Sequence, residues 1–337
     1  MIKKLLTLFV ATTMVISISG CGSDNTESSS GTVRIICPYG VGGTADLIAR
    51  KYALVAGELF PEKNFIVENM TGGDGFAAAT YYTELDPDTT DLLIYGYGVI
   101  YRHDLGKEYG TEIVDFDRDE IQPIGIIDDR TWILYSTPGT TVEDVLAKAK
   151  NGGIKMSGGN PLSDPHLALG SLIAEEQGKT MVIPYDGGAS QKKALTDGEV
   201  DVFVGTTQAG KEEVEAGTME AILSFSIEEF EGFVGPDGKA VEIPTVAGEN
   251  KHEALRDDVD YSQYILPSGG FIATRAGAPA EWVAEMEEIT KAVWNSPEYY
   301  EWIEEIMLNK KELYGADAVA YVEEASLIAK GAFETLR

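Results

Sequence analysis

The chain has 337 residues and a formal net charge of −30, so nucleic acid and anionic lipid surfaces are poor partners for it. Its length exceeds one typical domain and suits two lobes, each with its own core. Two cysteines and three histidines leave little material for metal or nucleophile chemistry.

Lys3 and Lys4 open an N-terminal leader whose apolar run, residues 5–18, is short for a membrane span. The run closes on Ile18-Ser19-Gly20-Cys21, small residues before a cysteine, as in lipoprotein signals. Residues 1–20 are therefore expected to be removed and Cys21 to carry lipid, with 21–31, including NTESSSG, as a solvated tether. Loss of Lys3 and Lys4, with no acid lost, takes the charge from −30 to −32. Cys37 then has no disulfide partner; within apolar VRIICP it reads as a buried structural thiol and not a nucleophile.

Apolar runs alternate with helical patterns along the body, which predicts an α/β fold. A strand at 33–37 is broken by PYGVGG, and a helix over 44–59 places Leu47, Ile48, Tyr52 and Val55 on one face. Short strands follow at 65–67 and 92–95, separated by the turn-rich NMTGGDG. An apolar run at 121–127 leads into a second unit with a strand at 132–135. Thr140 and Glu143 have capping-box spacing ahead of a helix that Gly152-Gly153 stops. A strand at 154–156, a polar loop at 157–163, and Asp164-Pro165 as N-cap and first-turn proline precede the next helix. Strands at 181–183, 200–204 and 221–224 and a helix at 190–196 complete this unit. Residues 231–260 read as connecting surface, and the tail is helical, with Trp282, Met286, Ile289 and Val293 as a core stripe.

No phosphate-binding P-loop, dinucleotide fingerprint, zincin helix, nucleophile elbow or cysteine cluster is present. The histidines are His103, His166 and His252, and a Ser157/His166 pair has no specific spacing. Neither an enzyme, nor a metal, nor a cofactor is expected. What the chain does offer is loops joining strand ends to helix starts, which gather at one edge of an α/β sheet. Gly42 and Gly43 stand before a helix start, a natural anion seat, where their N–H groups are expected to face a carboxylate. They serve equally as ordinary turn glycines. The 157–166 loop adds Ser157, Gly158, Ser163 and His166, with His166 orienting the loop; the 185–188 loop adds Tyr185 and Gly187. Asp46 and Asp164 lie at helix starts, where an aspartate caps or complements the dipole; facing a cleft instead, either would favour a ligand with an amino group.

Six segments occur in order from 33 to near the C-terminus: PYGVGGTAD, VENMTGGDG, SGGNPLSDPH, IPYDGGASQKKAL, GEVDVFV and EIPTVAG. Together they resemble the tripartite tricarboxylate transporter receptor family, the Bug-type solute-binding proteins. The resemblance implies a two-lobed periplasmic-binding-protein fold of the second type, each lobe a mixed sheet flanked by helices. It implies lobe 1 from 32–123 and 244–337 and lobe 2 from 124–243. It adds Tyr39, Thr44 and Thr206 to the candidate ligand contacts. It further implies a monomeric, lipid-anchored receptor on the extracytoplasmic face, holding a small carboxylate for membrane permease subunits. An amino-acid ligand, or a signalling partner in place of the permease, stays open. Departures from the family pattern are Val41 and Thr44, Gly205-Thr206, and Asp164-Pro165 before the histidine.

Overall fold

A computed structural model describes residues 31–111, 114–185 and 187–337; the expected leader, Cys21 and the tether up to residue 30 lie outside them. Among the described residues, two five-stranded sheets share one plan. The first contains β1 (Thr32–Cys37), β2 (Asn64–Asn69), β3 (Leu92–Gly96) and β4 (Ile121–Asp129), with β10 (Gly269–Arg275), in the order β2-β1-β3-β10-β4. β1 runs parallel to β2 and β3, and β10 is antiparallel to β3 and β4. The second contains β5 (Trp132–Ser136), β6 (Ile154–Gly158), β7 (Thr180–Pro184), β8 (Val202–Thr206) and β9 (Glu220–Phe225), in the order β7-β6-β8-β5-β9. β6 is parallel to β7 and β8, and β5 antiparallel to β8 and β9.

Burial explains the strand sequences. Every residue of β8 and β10 is buried, and their apolar runs are continuous because helices cover both faces. Edge strand β2, NFIVEN, alternates exposed and half-buried positions. Helix α1 (Thr44–Leu59) and helix α8 (Ala280–Trp294) seal the first sheet through Ile48, Tyr52, Val55, Met286, Ile289 and Val293. Leu47, expected on that face, is 39% exposed, so the buried stripe starts one residue later. The capping box of helix α4 (Val142–Lys150) is likewise one residue on: Thr141 and Asp144 cap each other's backbone N–H groups. Helix α5 (Asp164–Glu175) has Ser163 at its N-cap position, and Asp164 is its first residue.

Both lobe crossings differ from expectation. β4 pairs with β10 from Ile121 to Asp129, so the chain leaves the first sheet after Asp129 and not at 123/124. The return is later than 244. Ser224 donates to the Pro244 carbonyl at 2.8 Å, and Val246 donates to that of Ser224 at 2.9 Å, which holds this stretch on the second sheet. Tyr261 and Tyr264, in a 3₁₀ turn, donate to Glu176, the C-cap of α5, and to Glu175, its last residue. Residues 231–260 are thus not mere surface, since Phe233, Ile243 and Val246 are buried. The two crossings meet where the Arg130 N–H donates to the Ser268 carbonyl at 2.8 Å. The last helix, α10 (Gly315–Thr335), packs on β4 and α3 (Tyr97–Tyr109) of the first lobe and on α5 of the second. There the Ser171 hydroxyl donates to the Ala332 carbonyl at 2.8 Å.

Candidate functional site

Between the lobes lies a cleft of about 950 Å³. The first lobe contributes the loop after β1 and Thr71, Gly72 and Asp74. The second contributes the first turns of helices α6 (Gly187–Thr196) and α7 (Thr207–Glu215), and Arg130 lies at the crossing.

The loop after β1 is built around Asp46. Gly42 has φ of +83°, a left-handed conformation that favours glycine, and its N–H donates to Asp46 Oδ2 at 2.8 Å. The Gly43 N–H donates to the Gly40 carbonyl at 3.2 Å. Both amides are therefore spent inside the loop, which corrects the expectation that they face a carboxylate. Asp46, 1% exposed, also accepts from Arg50 Nε at 3.0 Å and Asn69 Nδ2 at 2.8 Å. Burial alone would raise its pKa; hydrogen bonds from Arg50, Gly42 and Asn69 outweigh that and hold it below the usual carboxylate range. Asp46 is a brace and not a cleft acid. The donors left over are the N–H groups of Thr44 and Ala45, first-turn amides with no acceptor among the described residues and no side-chain cap at Gly43.

Tyr39 lines the cleft, and its hydroxyl packs near Gly96 and Gly75, where an added Cβ would stand at ordinary contact distances of 3.5 and 3.6 Å. Asp74, at φ +51°, is held by Arg102, whose Nη1 lies 2.9 Å from Oδ2.

In the second lobe, the Ser157 and Ser163 hydroxyls are buried without a hydrogen-bond partner among the described residues. Gly158 is tight against Val182, with 3.0 Å from its ideal Cβ to Cγ1. His166 does not line the cleft. Its Nδ1 bonds the Pro161 carbonyl and its Nε2 lies 3.4 Å from Thr180 Oγ1, so the ring staples the loop to the start of α5. Burial holds its pKa below the ordinary imidazole value, and the Pro161 bond opposes this only in part. Tyr185 also turns away, donating to Glu199 Oε2 at 2.6 Å. Gly187 opens α6 beside the lining residues Gly188 and Ala189; Asp186 lies outside the described residues. Thr206 caps α7, accepting from the Ala209 N–H at 3.2 Å. Gly205 beside it is forced, since a Cβ there would stand 2.4 Å from the Phe203 ring.

Asp164 joins the lobes and does not line the cleft. It accepts from the Tyr101 hydroxyl of α3, and a Cβ on Gly98 would collide with its Oδ1. Burial pushes its pKa up to about 7 against its own backbone N–H and the Ser268 hydroxyl, with Asp74 adding to the rise.

Two lining groups escaped the sequence reading. Arg130 follows the apolar run that was read as leading into the second unit, and its place in the cleft depends on where the chain crosses. Lys192 falls on the helix read at 190–196, to which no site role was given, and the helix that carries Lys211 was not read from the sequence. Lys192 is paired with Glu213 at 2.6 Å. The described residues contain no cluster that could hold a metal ion.

No family profile matches the chain. A UPF0065 protein of Bordetella pertussis is 26% identical over 198 residues, or 56% of this chain; the match covers 59% of that relative's length. A solved structure of an R. palustris protein with adipate has a TM-score of 0.74 at 20% identity, covering 92% of this chain and 98% of its own. A TctC solute-binding protein from Polaromonas has a TM-score of 0.64 at 20% identity, covering 92% and 100%. The two-lobed α/β fold expected from the sequence is the fold of these solved structures, and the TctC protein is of the kind that the six motifs resemble.

Proposed function

We propose that the protein is an extracytoplasmic solute-binding receptor of the tripartite tricarboxylate transporter type, which captures a small carboxylate between its lobes. The observation that carries this is the cleft itself. Free first-turn amides of α1, the α6 and α7 starts and a hinge arginine converge on one space of about 950 Å³, with no assembled nucleophile or metal site among the described residues. The adipate in an R. palustris structure of the same fold supports an acidic ligand. Capture, and not turnover, is the activity assigned.

Ligand touching both lobes stabilises the closed arrangement because only there are both sets of donors satisfied. Three or four charge-assisted hydrogen bonds at about 1.5–3 kcal/mol each approach the roughly 8 kcal/mol of a micromolar complex, before ordering costs. In this reading the first lobe is 31–129 with 269 onward, and the second 132–264. Cys21 carries the lipid that holds the receptor at the membrane beside its permease. Among the described residues no helix is long and apolar enough to cross a membrane. Glu212 and Glu305 on the cleft wall would suit an ammonium and keep an amino acid as a second ligand class.

Small-angle scattering tests capture by closure. Saturating adipate should shrink the radius of gyration; an unchanged radius under proven saturation would count against closure. Cys21→Ala should move the protein from the membrane to a soluble fraction, or leave it unprocessed. Wild-type protein that is wholly soluble would contradict the anchor.

A further inference from the structure

Resting on the receptor reading, we infer that Arg130 is the fixed anchor for a ligand carboxylate and the residue that makes the cleft select anions. Its backbone is pinned at the crossings by the bond to Ser268, so its position does not depend on which lobe moves. Its Nε donates to Asp128 Oδ2, which orients the plane of the guanidinium. The two terminal nitrogens have no acceptor among the described residues, and the residue lines the cleft. A guanidinium held at Nε presents its Nη1–Nη2 edge, which matches the two oxygens of one carboxylate.

The surroundings single this cation out. Lys192, on the same wall, is neutralised by Glu213. Lys211, on α7, is a flexible amine beside Glu212. Among the described lining cations, Arg130 is the one held by a carboxylate at Nε with its terminal nitrogens left over for ligand. Asp128, 0% exposed, balances its charge, although burying the pair is itself costly and leaves Asp128 Oδ1 without a partner among the described residues. The balanced pair projects little long-range field. Arg130 should therefore slow ligand escape more than it speeds ligand arrival.

Removing Arg130 alone strands the buried Asp128 charge, which itself destabilises a protein. The test uses two variants that avoid this: Arg130→Lys, which keeps the charge and loses the fork, and the double variant Asp128→Asn/Arg130→Gln, which removes both charges. Adipate is titrated calorimetrically into wild type and both variants, each with an apo melting curve and a stopped-flow dissociation rate. Expected are about a 10-fold weaker Kd for Arg130→Lys and about 10- to 100-fold for the double variant, carried by faster dissociation. The apo melting temperatures should stay within a few degrees of wild type. Unchanged Kd in either folded variant overturns the anchor. If the double variant does not fold, Arg130→Lys decides alone. Wild type that binds no carboxylate at all, with an extended panel, instead refutes the receptor reading on which the anchor rests.

Discussion

At the scale of single residues, Gly42 carries more of the first loop than Gly43 does. Gly42 sits at φ +83° and its N–H holds Asp46, whereas Gly43 has an ordinary extended conformation. Gly42→Ala should cost about 1 kcal/mol of stability and weaken ligand binding several-fold, with Gly43→Ala milder on both counts. Thermal melts and calorimetry of the pair would reverse this ranking if Gly43 were the tighter position. Asp164 gives a signed prediction. Its folded pKa is raised to about 7 from the ordinary carboxylate value of 3.8, so the folded state binds the proton more tightly. Its stabilising contribution is complete below about 3.8 and is lost as pH rises through about 7. Asp164→Asn keeps an acceptor for Tyr101 without the charge. It should melt above wild type at pH 8 and match it near pH 4; a variant that melts lower at pH 8 would show that the ionised form is stabilising. The loop glycines were readable from the sequence because turn chemistry is local. The roles of Asp46 and Asp164 were not, because each also has a partner remote in the chain, Asn69 for Asp46 and Tyr101 for Asp164.

At the scale of elements, α5 is held at its start by His166. The ring bonds the Pro161 carbonyl and reaches Thr180, with no cleft contact. His166→Gln should lower stability by about 1 kcal/mol through the lost loop bond and change Kd by less than about 3-fold. Complete loss of binding with an unchanged melting temperature would place the ring at the ligand instead. Strands and helices were legible because periodicity and apolar runs report burial directly, as in the fully buried VFVGT of β8. Capping positions slipped by one residue, since Thr140 and Thr141 are chemically alike and only backbone conformation separates them. The 231–260 stretch was misread for a different reason. It forms no regular strand or helix, and its attachments are remote in the chain: backbone bonds of Pro244 and Val246 with Ser224, and a bond from Arg256 to the Glu175 carbonyl.

At the scale of the whole molecule, two sheets of equal plan and a last helix packed on both lobes define the fold, and the alternation of apolar and helical segments made that class readable. The cleft was readable only as a set of loops, since which of them face each other is set by crossings placed after 129 and at 268. The charge of −30 predicts that salt leaves dicarboxylate association unchanged or speeds it, by screening repulsion beyond about 8–10 Å. A steep fall in stopped-flow association rate with salt would mean that Lys192, Lys211 and Arg130 act together as a cationic funnel. The central claim is that this cleft captures a small organic acid without converting it. Calorimetric titration of the protein with mono-, di- and tricarboxylates and amino acids, with proton spectra of the mixtures followed over hours, tests it most directly. One-to-one binding of at least one carboxylate is expected at micromolar Kd or tighter, with the ligand unchanged. Binding only of neutral or cationic solutes, or steady consumption of the acid, would contradict it.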